Sequence, residues 1–413
     1  MKHLLLCLAL ICATGVQART LPRPSDVLAA MHRANDYFIR QHPDPTLPTF
    51  VNKERPSNLW TRGVYYEGLI ALNRIDPRPQ NLQYVAKWAD FHRFTPRNGI
   101  YTRDADDYCC CQTYLDLYCD AVSTPSAADK ADHMIRPTIQ CMDNLLAPAP
   151  EHMTPATKTR YGNSSLHDWT WIDAIQMGLP VLTKLTRICA ADSAAMQSHA
   201  LQYAEHGYHM YLWTRDTLAG GLFNTAEGLW WRDKDFVPPY REPNGANCYW
   251  SRGNGWVYAA LVRAMDDALL YRQQHGTMPA AFHFDDYRAD FLRMTDALLQ
   301  CQRKDAFWNV SLHDPTNFGG KELTGTALFL YGMAWGVRNG LLPSERFTPV
   351  IARTWNALVR HCLRRDGFLH YVQGTGKEPK DSQPVAKNHE PDFDDFGLGC
   401  FLLAGSEVYQ LQR

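Results

Sequence analysis

The stretch KELTGTALFLYGMAWGV, residues 321–337, carries no charge after its first two positions. Gly, Ala and Thr alternate in it with Leu, Phe, Tyr, Met and Trp, so no helical face is left for water, and such a helix belongs inside a large fold. Five further segments share this composition, at 58–72, 106–118, 168–182, 250–265 and 394–409. Between them lie segments of a second kind, at 26–40, 81–93, 128–146, 195–213, 285–302 and 346–364. Each of these has apolar residues at i, i+3/4 and i+7 spacing and one solvated face. Six half-exposed helices alternating with six buried ones, without a convincing run of β-branched strands, predict an all-α fold: an (α/α)6 barrel of six inner and six outer helices. A mixed α/β fold fits the pattern less well.

Successive inner helices of such a barrel run parallel, so the polar residues that open them gather on one face. These are Asn58, Asp106, Asp107, Asp168, Asp173, Arg252, Asn254, Lys321, Glu322, Asp394 and Asp395. The connections 149–167, 214–249, 304–320 and 373–393 are long, polar and rich in Pro, Gly and Asn, as loops that build a site tend to be.

The 413 residues suffice for a large core, and 42 basic against 43 acidic side chains leave no basic stripe for neutralising phosphates. Nucleic-acid binding is therefore not expected. Residues 1–18, MKHLLLCLALICATGVQA, join a basic start to an apolar run too short to span a bilayer, with Val16 and Ala18 flanking a cut before Arg19. They read as a signal peptide, followed by one catalytic domain over 19–413 and export to the periplasm. Cys12 does not make a good lipoprotein site, because Ile11 before it is bulky. Ten cysteines remain after cleavage, most within apolar helical patterns where a buried thiol is the expected state. No CxxC pair or HExxH motif is present, so neither a metal nor any other cofactor is expected. No later segment reads as a membrane span, and the chain is expected to be a monomer or a homodimer.

Carboxylates sharing a cleft with aromatics are the usual equipment of sugar chemistry, because surroundings can hold one protonated and leave another ionised. Asp173 follows Trp169 and Trp171 and precedes apolar sequence through Met177, surroundings that should raise its pKa and suit it to general acid work. An Asp that merely caps its helix is the plainer alternative. Asp106 or Asp107 could supply a partner carboxylate, and the sequence does not decide which points inward. In WSRGNGW, residues 250–256, Arg252 can grip a carboxylate bidentately, and Trp250 and Trp256 offer flat faces to an acidic sugar. GLWWRD, residues 228–233, brings Trp230 and Trp231 beside Arg232 and Asp233, either as a stacking wall or as a loop buried on the barrel. Lys321 with Glu322 repeats the charged start on a further inner helix, unless the two form an exposed ion pair. His167 could donate to a substrate oxygen.

The segments WTWIDAIQMGLPVL (169–182), YWSRGNGWVYAAL (249–261), ELTGTALFLYGMAWGVRNGLL (322–342) and FGLGCFLLAGSEVY (396–409) together resemble the unsaturated glucuronyl and rhamnogalacturonyl hydrolases, glycoside hydrolase families 88 and 105. That resemblance implies an (α/α)6 barrel acting on an unsaturated uronyl oligosaccharide: it removes a 4,5-unsaturated uronic acid from the non-reducing end of lyase products. It also implies that the C4=C5 double bond is hydrated, with Asp173 as proton donor and water activator, and that a second Asp falls at Asp106 or Asp107. Trp171, His167, Met177, Arg252, Asn254 and Trp256 match substrate-site positions of the family pattern. The run Cys109–Cys111 and the segment TAEGLWW depart from it, which leaves the neighbouring sugar open. An ordinary inverting or retaining glycosidase on the same barrel and a non-catalytic sugar-binding protein are the competing readings.

Overall fold

The structure is a computed structural model and describes residues 20–50, 54–123, 131–147, 169–190, 194–389 and 395–413. The expected signal peptide, the 149–167 connection, His167, Asp168 and Asp394 lie outside the described residues. Six helices form an inner ring: α2 (Trp60–Ile75), α5 (Cys111–Val122) preceded by the short α4 (Ala105–Tyr108), α7 (Asp173–Cys189), α9 (Ser251–His275), α11 (Leu323–Arg338) and α13 (Asp395–Gln410). The outer helices are α1 (Pro24–Gln41), α3 (Pro79–Phe91), α6 (Asp132–Leu146), α8 (Ala194–Leu212), α10 (Phe284–Cys301) and α12 (Ser344–His361).

Each inner helix packs on the next. Gln112 donates from α5 to the carbonyl of Gln176 on α7, and Thr183 of α7 donates to Asp267 of α9. Gly255 of α9 packs against Leu328 of α11, and Arg338 of α11 pairs with Glu407 of α13. The ring closes where α13 meets α2. A Cβ on Gly399 would lie 2.2 Å from the carbonyl oxygen of Val64, and one on Gly68 would lie 2.6 Å from that of Gly399, so only glycine allows the two backbones this close. The outer helices cover the ring through stacked aromatics, with Trp88 of α3 on Tyr66, Phe291 of α10 on Tyr258 and Trp355 of α12 on Phe401. This is the (α/α)6 barrel.

The second inner helix does not run unbroken from Asp106. Asp104 caps α4 by accepting from the Asp106 amide at 3.0 Å, and the chain turns at Cys109 and Cys110 before α5 begins. All ten cysteines of the described residues are free thiols, and eight of them are buried. Among the described residues there are also two short ribbons, β1 (Thr49–Phe50) with β2 (Glu54–Arg55), and β3 (Phe223–Asn224) with β4 (Leu229–Trp230). Among the described residues no helix is long and apolar enough to cross a membrane.

The two mouths of the barrel differ in charge chemistry. At the C-terminal ends of the inner helices a cavity of about 300 Å³ is lined by charged residues, among them Lys184, Arg187, Arg263 and Arg338. Cations suit the negative end of the helix dipoles. Each also has an acid beside it: Asp116 at Lys184, Asp267 at Arg187, Glu67 at Arg263 and Glu407 at Arg338. That mouth neutralises itself, and the described parts of the long loops, 214–249, 304–320 and 373–389, lie toward the other one.

Candidate active site

At the N-terminal mouth the structure separates the two candidate aspartates on the second inner helix. Asp107 is 2% exposed, and its carboxylate accepts from Arg97 Nε at 2.7 Å, Asn98 Nδ2 at 2.9 Å and the Thr102 hydroxyl at 2.6 Å. Those three donors occupy it in holding the 97–102 loop. Asp106 has no such partners among the described residues. Burial, reinforced by the negative charges of Asp104 and Asp173, pushes its pKa up to about 8, with Arg232 opposing the shift.

Asp173 is the first residue of α7, whose cap position, Ile172, makes no side-chain bond. It is therefore not the helix cap, and it is 8% exposed. Burial raises its pKa against the pull of Arg232 and Arg252. The Arg232 guanidinium donates through Nε to Asp173 at 3.2 Å and through Nη1 to Asp233 at 2.7 Å. Two acids of raised pKa in the field of one cation are equipped to hold a proton and deliver it to a substrate.

Arg232 is placed by the RGNGW segment. Asn254 is fully buried and accepts from the Trp230 amide at 2.8 Å, while its Nδ2 donates to the carbonyls of Trp230 and Trp250, both at 3.0 Å. The ribbon strand β4 is thereby fixed to the start of α9. Two residues further on, the Arg232 carbonyl accepts from the Ile172 amide at 3.0 Å, directly before Asp173. A buried amide with three backbone bonds thus sets the distance between Arg232 and the acid.

The chain matches the sequence profile of Glycosyl Hydrolase Family 88 over residues 30–412. The chain belongs to that family. It is 29% identical over 368 residues to an unsaturated 3S-rhamnoglycuronyl hydrolase of Formosa agariphila, with 86% of this chain and 85% of that one covered. Its structure is similar to that of a family 88 glycosyl hydrolase from Bacteroides vulgatus, with 27% identity, a TM-score of 0.75, and 94% and 100% of the two chains covered. An unsaturated glucuronyl hydrolase from Bacillus sp. GL1 shares the fold at 15% identity and a TM-score of 0.57, with 94% and 96% covered.

In this family 88 glycosidase several residues expected at the substrate lie elsewhere. Arg252 is 1% exposed, and Nη1 and Nη2 donate to the carbonyls of Gln373 at 2.6 Å and Gly374 at 2.7 Å. Its guanidinium also lies 4.6 Å from the Trp250 ring centre and 5.1 Å from that of Phe396. The bidentate grip expected of it is spent on the 373–374 backbone. Trp250 is buried with its indole N–H on Gln373, and Trp256 is buried edge-on to Trp60. Neither offers a face to a sugar, and Met177 is a core residue. Asn254 acts on the Trp230 loop as described above. Trp230 stacks on Phe223 in the core, whereas Trp231 is half-buried against Tyr249, so the ribbon divides the pair. Lys321 pairs with Asp305 at 3.5 Å, not with Glu322, which caps α11 by accepting from the amides of Thr324 and Gly325.

Trp171, Trp231 and Trp60 are among the described aromatics left partly open at this mouth. Trp60 was not singled out in the sequence, although it opens an inner helix as the other candidates do. Asp104 was also missed, and its charge on Asp106 follows from the loop path alone. Among the described residues no group of three His, Cys, Asp or Glu side chains is arranged to hold a metal ion.

Proposed function

We propose that this family 88 glycosidase removes a 4,5-unsaturated uronic acid from the non-reducing end of lyase-generated oligosaccharides by hydrating the C4=C5 bond. The observation that carries this reading is Asp173, buried and held by Arg232 at 3.2 Å, with Asp106 in the field of the same arginine and the pKa of both acids raised, beside the half-open Trp171 and Trp231. Asp173 in its protonated form gives its proton to C4, and the positive charge that develops at C5 is shared with the ring oxygen. Water then adds at C5 and returns a proton to the Asp173 carboxylate. The resulting hemiketal opens to a C5 ketone, the ring oxygen becomes the hydroxyl of a hemiacetal at C1, and that hemiacetal expels the next sugar. One water is consumed and the acid is regenerated. Asp106, protonated at neutral pH, orients the incoming water.

Direct displacement at C1 would require two carboxyl groups spaced for retention or inversion. Hydration places no such demand, because one acid carries both proton transfers. The name of the Formosa relative makes rhamnose-linked substrates the first to assay, with pectin and glycosaminoglycan lyase products beside them. The test is the ultraviolet absorbance of the double bond in each unsaturated disaccharide. Loss of absorbance with the wild type and none with Asp173→Asn supports the reading, and turnover by Asp173→Asn at the wild-type rate refutes it. We also read residues 1–18 as an export leader, so that the enzyme meets its oligosaccharides in the periplasm. N-terminal sequencing of the mature protein, expected to begin at Arg19, decides that point.

A further inference from the structure

The substrate proposed above carries a carboxylate at C5, and binding it requires a cation with an unused donor beside the acids. Two arginines act electrostatically on Asp173, namely Arg232 and Arg252. Arg252 is excluded, because it is 1% exposed, Nη1 and Nη2 both serve backbone carbonyls, and Nε, although unpaired, is sealed in the interior where a substrate does not reach it. Arg232 differs on each count. Its side chain is 19% exposed, Nε and Nη1 are committed to Asp173 and Asp233, and Nη2 makes no hydrogen bond among the described residues. Its guanidinium also acts on Asp106 as well as Asp173, so its open nitrogen lies in the same field as the proton donor.

The geometry points to Arg232 as the residue that binds the uronate carboxylate, through Nη2, while its Nε holds Asp173 beside C4. The inference rests on the proposed reaction and extends it to substrate selection. A single guanidinium then touches both the recognised group and the proton donor, so a sugar lacking the carboxylate is bound weakly and aligned poorly. Arg232 has a planar fork fixed at two corners by Asp173 and Asp233, which leaves little side-chain freedom to lose on binding. An ammonium at this position would keep the charge and lose that alignment.

The experiment compares an unsaturated uronyl disaccharide with its methyl ester, using wild type, Arg232→Gln and Arg232→Lys. A charge-assisted hydrogen bond of ordinary strength predicts that wild type favours the acid by about 10- to 100-fold in kcat/KM. Arg232→Gln should bring that ratio close to one, mostly through KM, and Arg232→Lys should recover part of it. An equal loss on acid and ester in Arg232→Gln, with the ratio preserved, would show that Arg232 only supports the loop and would overturn the inference. If wild type turns over neither substrate, the failure belongs to the proposed reaction. Calorimetric binding of glucuronate then still decides the arginine: loss in Arg232→Gln upholds the inference, and unchanged binding, or none to the wild type, overturns it.

Discussion

Replacing Asp106 by Asn should stabilise the protein while it slows the reaction. In the unfolded chain an aspartate titrates at about 3.9, and in the fold Asp106 is pushed up to about 8 by burial and by Asp104 and Asp173. Between those two values the native state holds a proton that the unfolded state has released, so stability falls as pH rises through that window and levels off above it. At roughly 1.36 kcal/mol per pH unit the full window would cost about 5–6 kcal/mol. Asp106 keeps part of its surface in water, and solvent screening reduces this to about 2–3 kcal/mol. Asparagine does not titrate. The variant should match wild type near pH 4 and exceed it by about 2–6 °C in Tm at pH 8, given about 1–2 °C per kcal/mol for a chain of this length. Thermal unfolding at pH 4, 6 and 8, followed by circular dichroism, measures the difference directly. A gap that stays constant with pH, or a variant less stable than wild type at pH 8, would refute the burial of an uncompensated acid at this position.

Other perturbations test the supports of the site. Asn254→Ala leaves the buried amide of Trp230 without its acceptor, so a loss of about 2–3 kcal/mol is expected in urea unfolding, together with a fall in activity as Arg232 drifts from Asp173; unchanged stability would contradict the role given to Asn254. Gly399→Ala forces a methyl group to within 2.2 Å of the Val64 carbonyl oxygen where α13 and α2 meet, and should cost about 3 kcal/mol; a variant that melts with wild type would mean the two helices part easily. The pH–rate profile should hold through neutrality and fall on the alkaline side near pH 8, as Asp106 loses its proton, since a raised carboxyl pKa keeps the acid form present until pH passes it. A rate that climbs through pH 8 would argue against a role for protonated Asp106.

The alternation of helices was legible because it is local. Lys321–Val337 offers no polar face, and Asp285–Gln302 offers one, whatever lies around them. The sorting of Asp106 from Asp107 was not legible, because it depends on a loop that turns through Asn98 and Gly99 at positive φ and returns three donors to one carboxylate only. The exchange of roles between Arg252 and Arg232 has a longer-range cause. The carbonyls that occupy Arg252 come from Gln373 and Gly374, more than a hundred residues away in the chain, and no pattern around RGNGW announces them. Trp230 and Trp231 read alike in sequence, but β4 ends at Trp230, which is buried, and Trp231 follows it half-open against Tyr249.

Hydration of the double bond, rather than attack at C1, is the central claim. Absorbance of the C4=C5 bond and release of the neighbouring sugar should be recorded together, in one reaction, on an unsaturated disaccharide. Hydration predicts that absorbance falls no later than the sugar appears, and that Asp173→Asn abolishes both signals. Sugar released ahead of the absorbance loss, with the unsaturated uronate accumulating intact, would contradict the account and assign the carboxylates to ordinary glycosidic displacement.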